Sequence, residues 1–253
     1  MEFISEVFVM KPLILLFVVY ALSFTTSYAD SELDKPEVIA EGGRLYDKWW
    51  KEYDLSKPSS THPAYPKSGN QSGANTWRCK ECHGWDYKGA AGAYAKGSHY
   101  TGIKGITQAK SKSLTELVAI LKNNFHQYNN VMMDYGLIRI ANFIKQGQVD
   151  IASFVEKKSK LAIGDITRGQ SIFEDTCKEC HGSDGRNRNF KTHQNPEYIG
   201  TVATKNPWEA IHKIRNGQPG AFVMGDPMPH MLGKIEIEEQ LDLLRYMQSL
   251  PVK

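Results

Sequence analysis

The sequence predicts an all-α fold in two tandem domains of the same design. One observation is a pentapeptide, Cys-Lys-Glu-Cys-His, that occurs at residues 79–83 and again at residues 177–181. A second is that the helical segment 115–124 aligns without gaps with segment 208–217. Such internal repetition indicates a duplicated unit, and each unit has the order helix, pentapeptide, helix, loop, helix.

The first domain is predicted over residues 38–148. Apolar side chains recur in it at the spacing of amphipathic helices. Before Cys79, residues 54–76 are rich in Pro, Ser, Gly and Asn, which is typical of an irregular surface loop. We expect a plain insertion there rather than a docking surface. The predicted helices cover residues 42–53, 115–124 and 136–145.

The second domain is predicted over residues 165–253. Residues 149–164 join the two domains, and the charged run at 156–158 predicts a solvated linker. Domains of about 100 residues are common, so the length of the chain fits this division. The predicted helices cover residues 166–175, 208–217 and 237–250.

Both copies of the pentapeptide are typical of covalent haem attachment. Two thiols about one helical turn apart can each add across a vinyl group of haem, and the histidine that follows can ligate the iron from one side. The two copies contain every cysteine of the chain. The prediction is two covalently bound haem c groups, with thioethers from Cys79, Cys82, Cys177 and Cys180 and iron ligands from His83 and His181.

Other uses of paired cysteines fit this pattern less well. Pairs that share a zinc ion usually lie about 15 to 20 residues apart, whereas 94 residues separate Cys82 from Cys177. Zinc also gives no reason for a histidine after each pair. A thioredoxin-like dithiol would need one pair in a βαβ pattern. Haem attachment is the interpretation that uses every residue of the motif.

In these motifs, and in the Gly-Ser-Asp-Gly sequence at residues 182–185, the chain resembles the class I c-type cytochromes. From about residue 38 onward it is similar to a diheme cytochrome made of two such domains. The resemblance implies a few helices wrapped around each covalently bound haem.

The second axial ligand of each iron is expected in the loop before the last helix of each domain. In the second domain, Asp-Pro-Met-Pro at residues 226–229 resembles the loop that supplies the distal methionine in class I cytochromes. Met228 is therefore the candidate ligand, with Met224 and Met231 as alternatives. A thioether ligand raises the reduction potential.

The first domain has no Met-Pro pair. His126 lies 17 residues before Phe143 in the last predicted helix. Met228 lies 18 residues before Tyr246 in the second domain, so the two positions correspond. With His126 as ligand, the first haem would have two imidazoles and a lower potential than the second. The alternatives left open are Met132, Met133 and His99.

The N-terminal residues 1–29 are predicted to be a cleaved signal peptide. Met10, an alternative start, and Lys11 precede an apolar run at residues 13–24, and Ser-Tyr-Ala at 27–29 has the pattern that signal peptidase reads. The apolar run is shorter than the roughly 20 residues of a membrane-spanning helix. We expect a soluble or peripheral protein in the periplasm.

The predicted function is electron transfer between redox partner proteins, which could be acidic or membrane-bound, without catalysis. The formal net charge of +3 is not that of a nucleic-acid-binding protein, and no small-molecule substrate is predicted. Lysines around an exposed haem edge would steer acidic partners. An ordinary solvated face is an equally good interpretation of the lysines near the two motifs, which are Lys80, Lys88, Lys96, Lys104 and Lys178.

The alternative is a cytochrome subunit, or a diheme oxidoreductase in which one haem is catalytic, for example in sulfur-compound oxidation. Diheme thiosulfate dehydrogenases have a similar size and two-domain plan. They use a cysteine as axial ligand on the active haem. All four cysteines here belong to the attachment motifs, so this comparison favours the electron carrier.

Overall fold

The computed structural model describes residues 32–220 and 228–253, so the predicted signal peptide lies outside the described residues. Within them the chain is helical and contains no β-strand, which confirms the all-α class. The helices are α1 Pro36–Glu52, α2 Cys79–His83, α3 Leu114–Lys122, α4 Asp134–Asn142, α5 Ile166–Thr176, α6 Lys178–His181, α7 Ile199–Lys205, α8 Pro207–Asn216 and α9 Ile237–Met247.

Each helix predicted from periodicity is present, with ends that differ by a few residues. Helix α7 is additional to the predicted helices, and no sequence pattern indicated it. Among the described residues, no helix is both long enough and apolar enough to cross a membrane.

Helix α1 is the centre of the first half of the structure, residues 32–148. It begins with Pro36, whose fixed backbone angle suits the first helical position. Its apolar face packs on α4, where Leu137 and Ile140 are fully buried. A Cβ atom at Gly42 would overlap the backbone carbonyl of Arg139. Glycine at this position therefore allows the two helices to approach closely.

The two attachment motifs are built alike. Each is a short helix ended by a glycine in the left-handed region, Gly84 with φ 80° and Gly182 with φ 79°. The carbonyl of His83 accepts a hydrogen bond from the Gly89 amide at 2.8 Å, and that of His181 accepts one from the Asn187 amide at 3.0 Å. Glycine tolerates this conformation at no steric cost. The turn that closes each motif is thus set by the motif's own sequence.

The second half, residues 149–220 and 228–253, has a separate hydrophobic core formed mainly by α5, α7, α8 and α9. Phe173 and Leu244 are fully buried in it. The linker differs from the solvated connector that its charges predicted. Residues 156–160 are exposed, but Ile151 and Val155 are buried in the core of the second half.

The two halves share a polar interface between α1 and α8. His212 of α8 is buried, and its Nε2–H donates to the Gly43 carbonyl at 2.9 Å. Its Nδ1 accepts from the Tyr87 hydroxyl, also at 2.9 Å. Burial lowers the pKa of His212 to about 3, so the ring is neutral. One imidazole therefore joins two segments of the first half to the second half.

A buried carboxylate completes this interface. Asp47 of α1 forms ion pairs with Arg78 and with Lys213 of α8. The Arg78 Nε also donates to the Asp47 backbone carbonyl at 2.8 Å. Lys48 next to it leaves the helical conformation, and a side chain that enters the helical hydrogen-bond pattern is a known cause of such kinks. No sequence pattern indicates this contact between the halves.

Candidate functional site

The first half contains a cavity of about 820 Å³, within the range of roughly 300–1,000 Å³ for cofactor and ligand pockets. We call it the first cavity. Its wall includes both cysteines and the histidine of the first motif, together with His126. The apolar part of the wall includes Ile106, Leu117, Ile120, Leu121 and Ile144.

The cysteines of the first motif lie on this wall because α2 follows directly on a 3-10 turn, Gly73–Trp77. The Trp49 indole donates to the Trp77 carbonyl at 3.1 Å and fixes that turn against α1. Burial raises the pKa of Cys79 to about 11 and that of Cys82 to about 12. A reactive redox dithiol needs a lowered thiol pKa, so the site does not favour that chemistry.

His83 is oriented by a hydrogen bond from its own ring. Its Nδ1–H donates to the Lys104 backbone carbonyl at 2.9 Å, which leaves Nε2 as the nitrogen able to bind a metal. Burial lowers the pKa of His83 to about 4, so the ring is in the neutral form that a ligand requires. Histidine ligands characteristically use such a second hydrogen bond to fix their orientation.

His126 and His83 both line the first cavity. The two ring centres are 6.4 Å apart and the ring planes differ by 26°. Two imidazoles on opposite sides of one metal ion have centres about 6 Å apart, given metal–nitrogen bonds of about 2.0 Å. The Asn123 side-chain oxygen accepts from the His126 amide at 2.9 Å and faces its Nδ1 at 3.3 Å. The residues present therefore fit a haem held between two histidines.

The alternatives to His126 fit less well. Met133 is 83% exposed, so it does not point into the first cavity in this structure. Met132 is buried against Gly136 in the core of the first half. His99 pairs with Glu81 and stacks on Tyr94, with ring centres 4.9 Å apart. None of the three belongs to the lining of the first cavity.

The second motif is less fully described. Cys177 packs against the core of the second half, Cys180 is exposed and His181 is buried. Cys79 packs against the core of the first half and Cys177 against that of the second half, which does not suit one zinc site shared between the two pairs. Met228 is half-buried, and its backbone carbonyl accepts from the Gln218 amide at 3.3 Å. Its role as a ligand stays a prediction.

The alternatives to Met228 as iron ligand in the second domain are Met224 and Met231, and only Met231 lies among the described residues. Met224 lies outside the described residues, as do Asp226 and Pro227 of the predicted loop. Met231 is buried among the apolar side chains of the second half, as expected for a packing residue.

The lysines near the motifs do not form one exposed ring. Lys80 is only 5% exposed and pairs with Glu81, so it is not available on the surface to steer a partner. Lys88 pairs with Asp150. By contrast, Lys104 is exposed and lines the first cavity. The exposed lining also includes Lys112, which sequence analysis did not single out.

His62 also belongs to this site, although no sequence pattern indicates it. It lies in the 54–76 loop and lines the first cavity. No local pattern marks His62 because its ring forms a hydrogen bond with the backbone carbonyl of a distant residue, His126, 64 positions later.

Comparison with known proteins gives one finding. The family model described as Cytochrome c matches residues 166–251. No curated protein and no solved structure matches the chain significantly. Residues 166–251 therefore carry a cytochrome c domain, which supports a c-type cytochrome with covalently bound haem c that functions in electron transfer.

Proposed function

We propose that this protein is a diheme c-type cytochrome that carries electrons between redox partner proteins. The observation that carries the proposal is the composition of the first cavity, in which the ring centres of His83 and His126 lie 6.4 Å apart and both cysteines of the first motif belong to the same lining. The family match covers the second motif, whereas the proposal for the first haem rests on this geometry.

Bound haem supplies an iron centre that gains and loses one electron. The chain's own residues set where and how readily this happens. Cys79 and Cys82 would hold the porphyrin by thioether bonds, and the Lys104 carbonyl orients the His83 ring. Apolar side chains on the cavity wall limit the access of water, which lowers the local polarity around the iron.

The two sites are proposed to differ in their axial ligands. The first would have His83 and His126, and the second would have His181 and Met228. A methionine ligand raises the potential relative to a second imidazole, so an electron entering at the first haem would move downhill to the second. Two domains, over residues 38–148 and 165–253, accommodate one haem each.

The location and partners belong to the same proposal. The signal-like residues 1–29 support export to the periplasm. A protein with covalently attached haem can transfer electrons between other proteins there. The exposed Lys104 and Lys112 at the rim of the first cavity support docking of an acidic redox partner there, because complementary charge speeds association.

Low-temperature electron paramagnetic resonance of the oxidised holoprotein, combined with a redox titration, tests this proposal. We expect two low-spin signals, one of bis-histidine type and one of histidine–methionine type. His126→Ala should convert the first signal to high spin and leave the second unchanged. His99→Ala is the matched control, since His99 is a histidine of the same half outside the cavity lining.

Two outcomes would contradict the proposal. An unchanged first signal in His126→Ala would reject His126 as a ligand. A high-spin, five-coordinate component in the wild-type protein would favour a catalytic haem over an electron carrier.

A further inference from the structure

Hydrogen bonds hold both the backbone and the ring of His62. Its backbone amide donates to the Thr76 hydroxyl at 2.8 Å. Its ring Nδ1 accepts from the Ala64 amide at 3.1 Å, which places the ring proton on Nε2. That Nε2–H donates to the His126 backbone carbonyl at 2.9 Å.

Aromatic packing holds the same ring from its sides. The His62 ring centre lies 4.3 Å from that of Trp77 in an edge-on contact and 5.8 Å from that of Tyr128. The side chain is 6% exposed. Trp77 is tied in turn to the 54–76 loop, since its indole donates to the Ser60 carbonyl at 2.9 Å. The donor that reaches His126 thus has little freedom to move.

The segment that receives this hydrogen bond is under local strain. Gln127, directly after His126, has φ 56°, in the left-handed region that costs a residue other than glycine free energy. Such a conformation persists where surrounding contacts determine it. The bond from His62 is a contact of this kind, because it holds the peptide group between His126 and Gln127.

We propose that His62 is a positioning residue that keeps His126 over the first cavity and so sets how readily this distal ligand leaves the iron. The inference rests on the proposed ligation by His126. It gives the 54–76 loop a specific role: the loop carries the donor that restrains the distal ligand.

Binding of carbon monoxide to the reduced holoprotein, followed by stopped-flow absorbance, tests this role. Carbon monoxide can bind the first haem only after His126 has left the iron, so the rate reports the opening of this ligand. His62→Phe keeps a ring of similar size but removes the donor. We expect the rate at the first haem to rise about tenfold, the effect of losing one hydrogen bond that resists opening.

Three further variants make the test specific. His62→Gln restores a side-chain donor and should return the rate part of the way to that of wild type. His193→Phe replaces an exposed histidine of the second half and should leave the rate unchanged. Thr76→Val, which removes the hydroxyl that anchors the His62 backbone, should also speed binding and serves if His62→Phe does not fold.

The outcomes separate the two proposals. A wild-type spectrum without a bis-histidine signal would reject ligation by His126 and the role of His62 together. A bis-histidine wild type in which the folded His62→Phe and Thr76→Val variants bind carbon monoxide at the wild-type rate would reject only the role of His62.

Discussion

Asp47→Asn is the sharpest test of the interface between the two halves. The side chain of Asp47 is 2% exposed and pairs with Arg78, 15% exposed, and Lys213, 12% exposed. These two cations hold the pKa of Asp47 well below its usual range, against the opposing effect of burial. The amide of asparagine has nearly the same shape but leaves both cations without their buried counter-charge.

The expected loss of stability is large for a single substitution. Removing one partner of a buried ion pair typically costs about 3–5 kcal/mol. With a slope of about 5 kcal/mol per molar guanidinium chloride, this shifts the unfolding midpoint down by about 0.6 to 1 M. Circular dichroism of the holoprotein during unfolding measures the shift. The matched control is Asp134→Asn, which breaks the exposed pair with Lys122 and should cost about 0–1 kcal/mol.

The effect should also depend on pH in a defined direction. The pKa of Asp47 is lower in the folded protein than in the unfolded chain, where it is about 3.9. Its contribution is therefore complete above about pH 4 and is lost as pH falls towards the folded pKa. The difference between wild type and Asp47→Asn should stay constant from pH 7 to about pH 4 and narrow below. A variant as stable as the Asp134→Asn control at pH 7 would refute this account of the interface.

Three further substitutions test other parts of the structure. Tyr87→Phe removes the donor to the buried Nδ1 of His212 and should cost about 1–3 kcal/mol in the same unfolding experiment; no change would mean that the bond is not made. Gly169→Ala would push a Cβ into the Asp242 carbonyl where α5 crosses α9, and thermal unfolding should show a loss of about 2–3 kcal/mol, whereas wild-type stability would contradict this close approach. His126→Met replaces an imidazole by a thioether and should raise the potential of the first haem in a redox titration; a lowered potential would count against His126 as its ligand.

The local features of this protein could be predicted from the sequence. Amphipathic spacing located α1, α3, α4, α5, α8 and α9 because each buries one face. The attachment motifs carry their chemistry within five residues, and Gly84 and Gly182 close them through their own backbone conformation. These features depend on neighbours in the sequence, so no distant contact is needed to recognise them.

Residue spacing along the chain predicted His126 as the distal ligand of the first haem but left Met133 as an alternative. Only the packed structure distinguishes them, because it places the half-buried His126 in the lining of the first cavity and leaves Met133 exposed outside that lining.

The sequence by itself determined the helical class and identified the four cysteines and the two motif histidines as the candidate haem-binding residues. The tertiary structure alone decided the contacts between distant residues: His62 with His126, Lys104 with His83, and Asp47 with Lys213. The physical reason is that such a contact requires two segments, each folded by its own local pattern, to pack at one distance and orientation. That arrangement is set by the burial of whole helix faces and of the charges between them, which no single segment encodes.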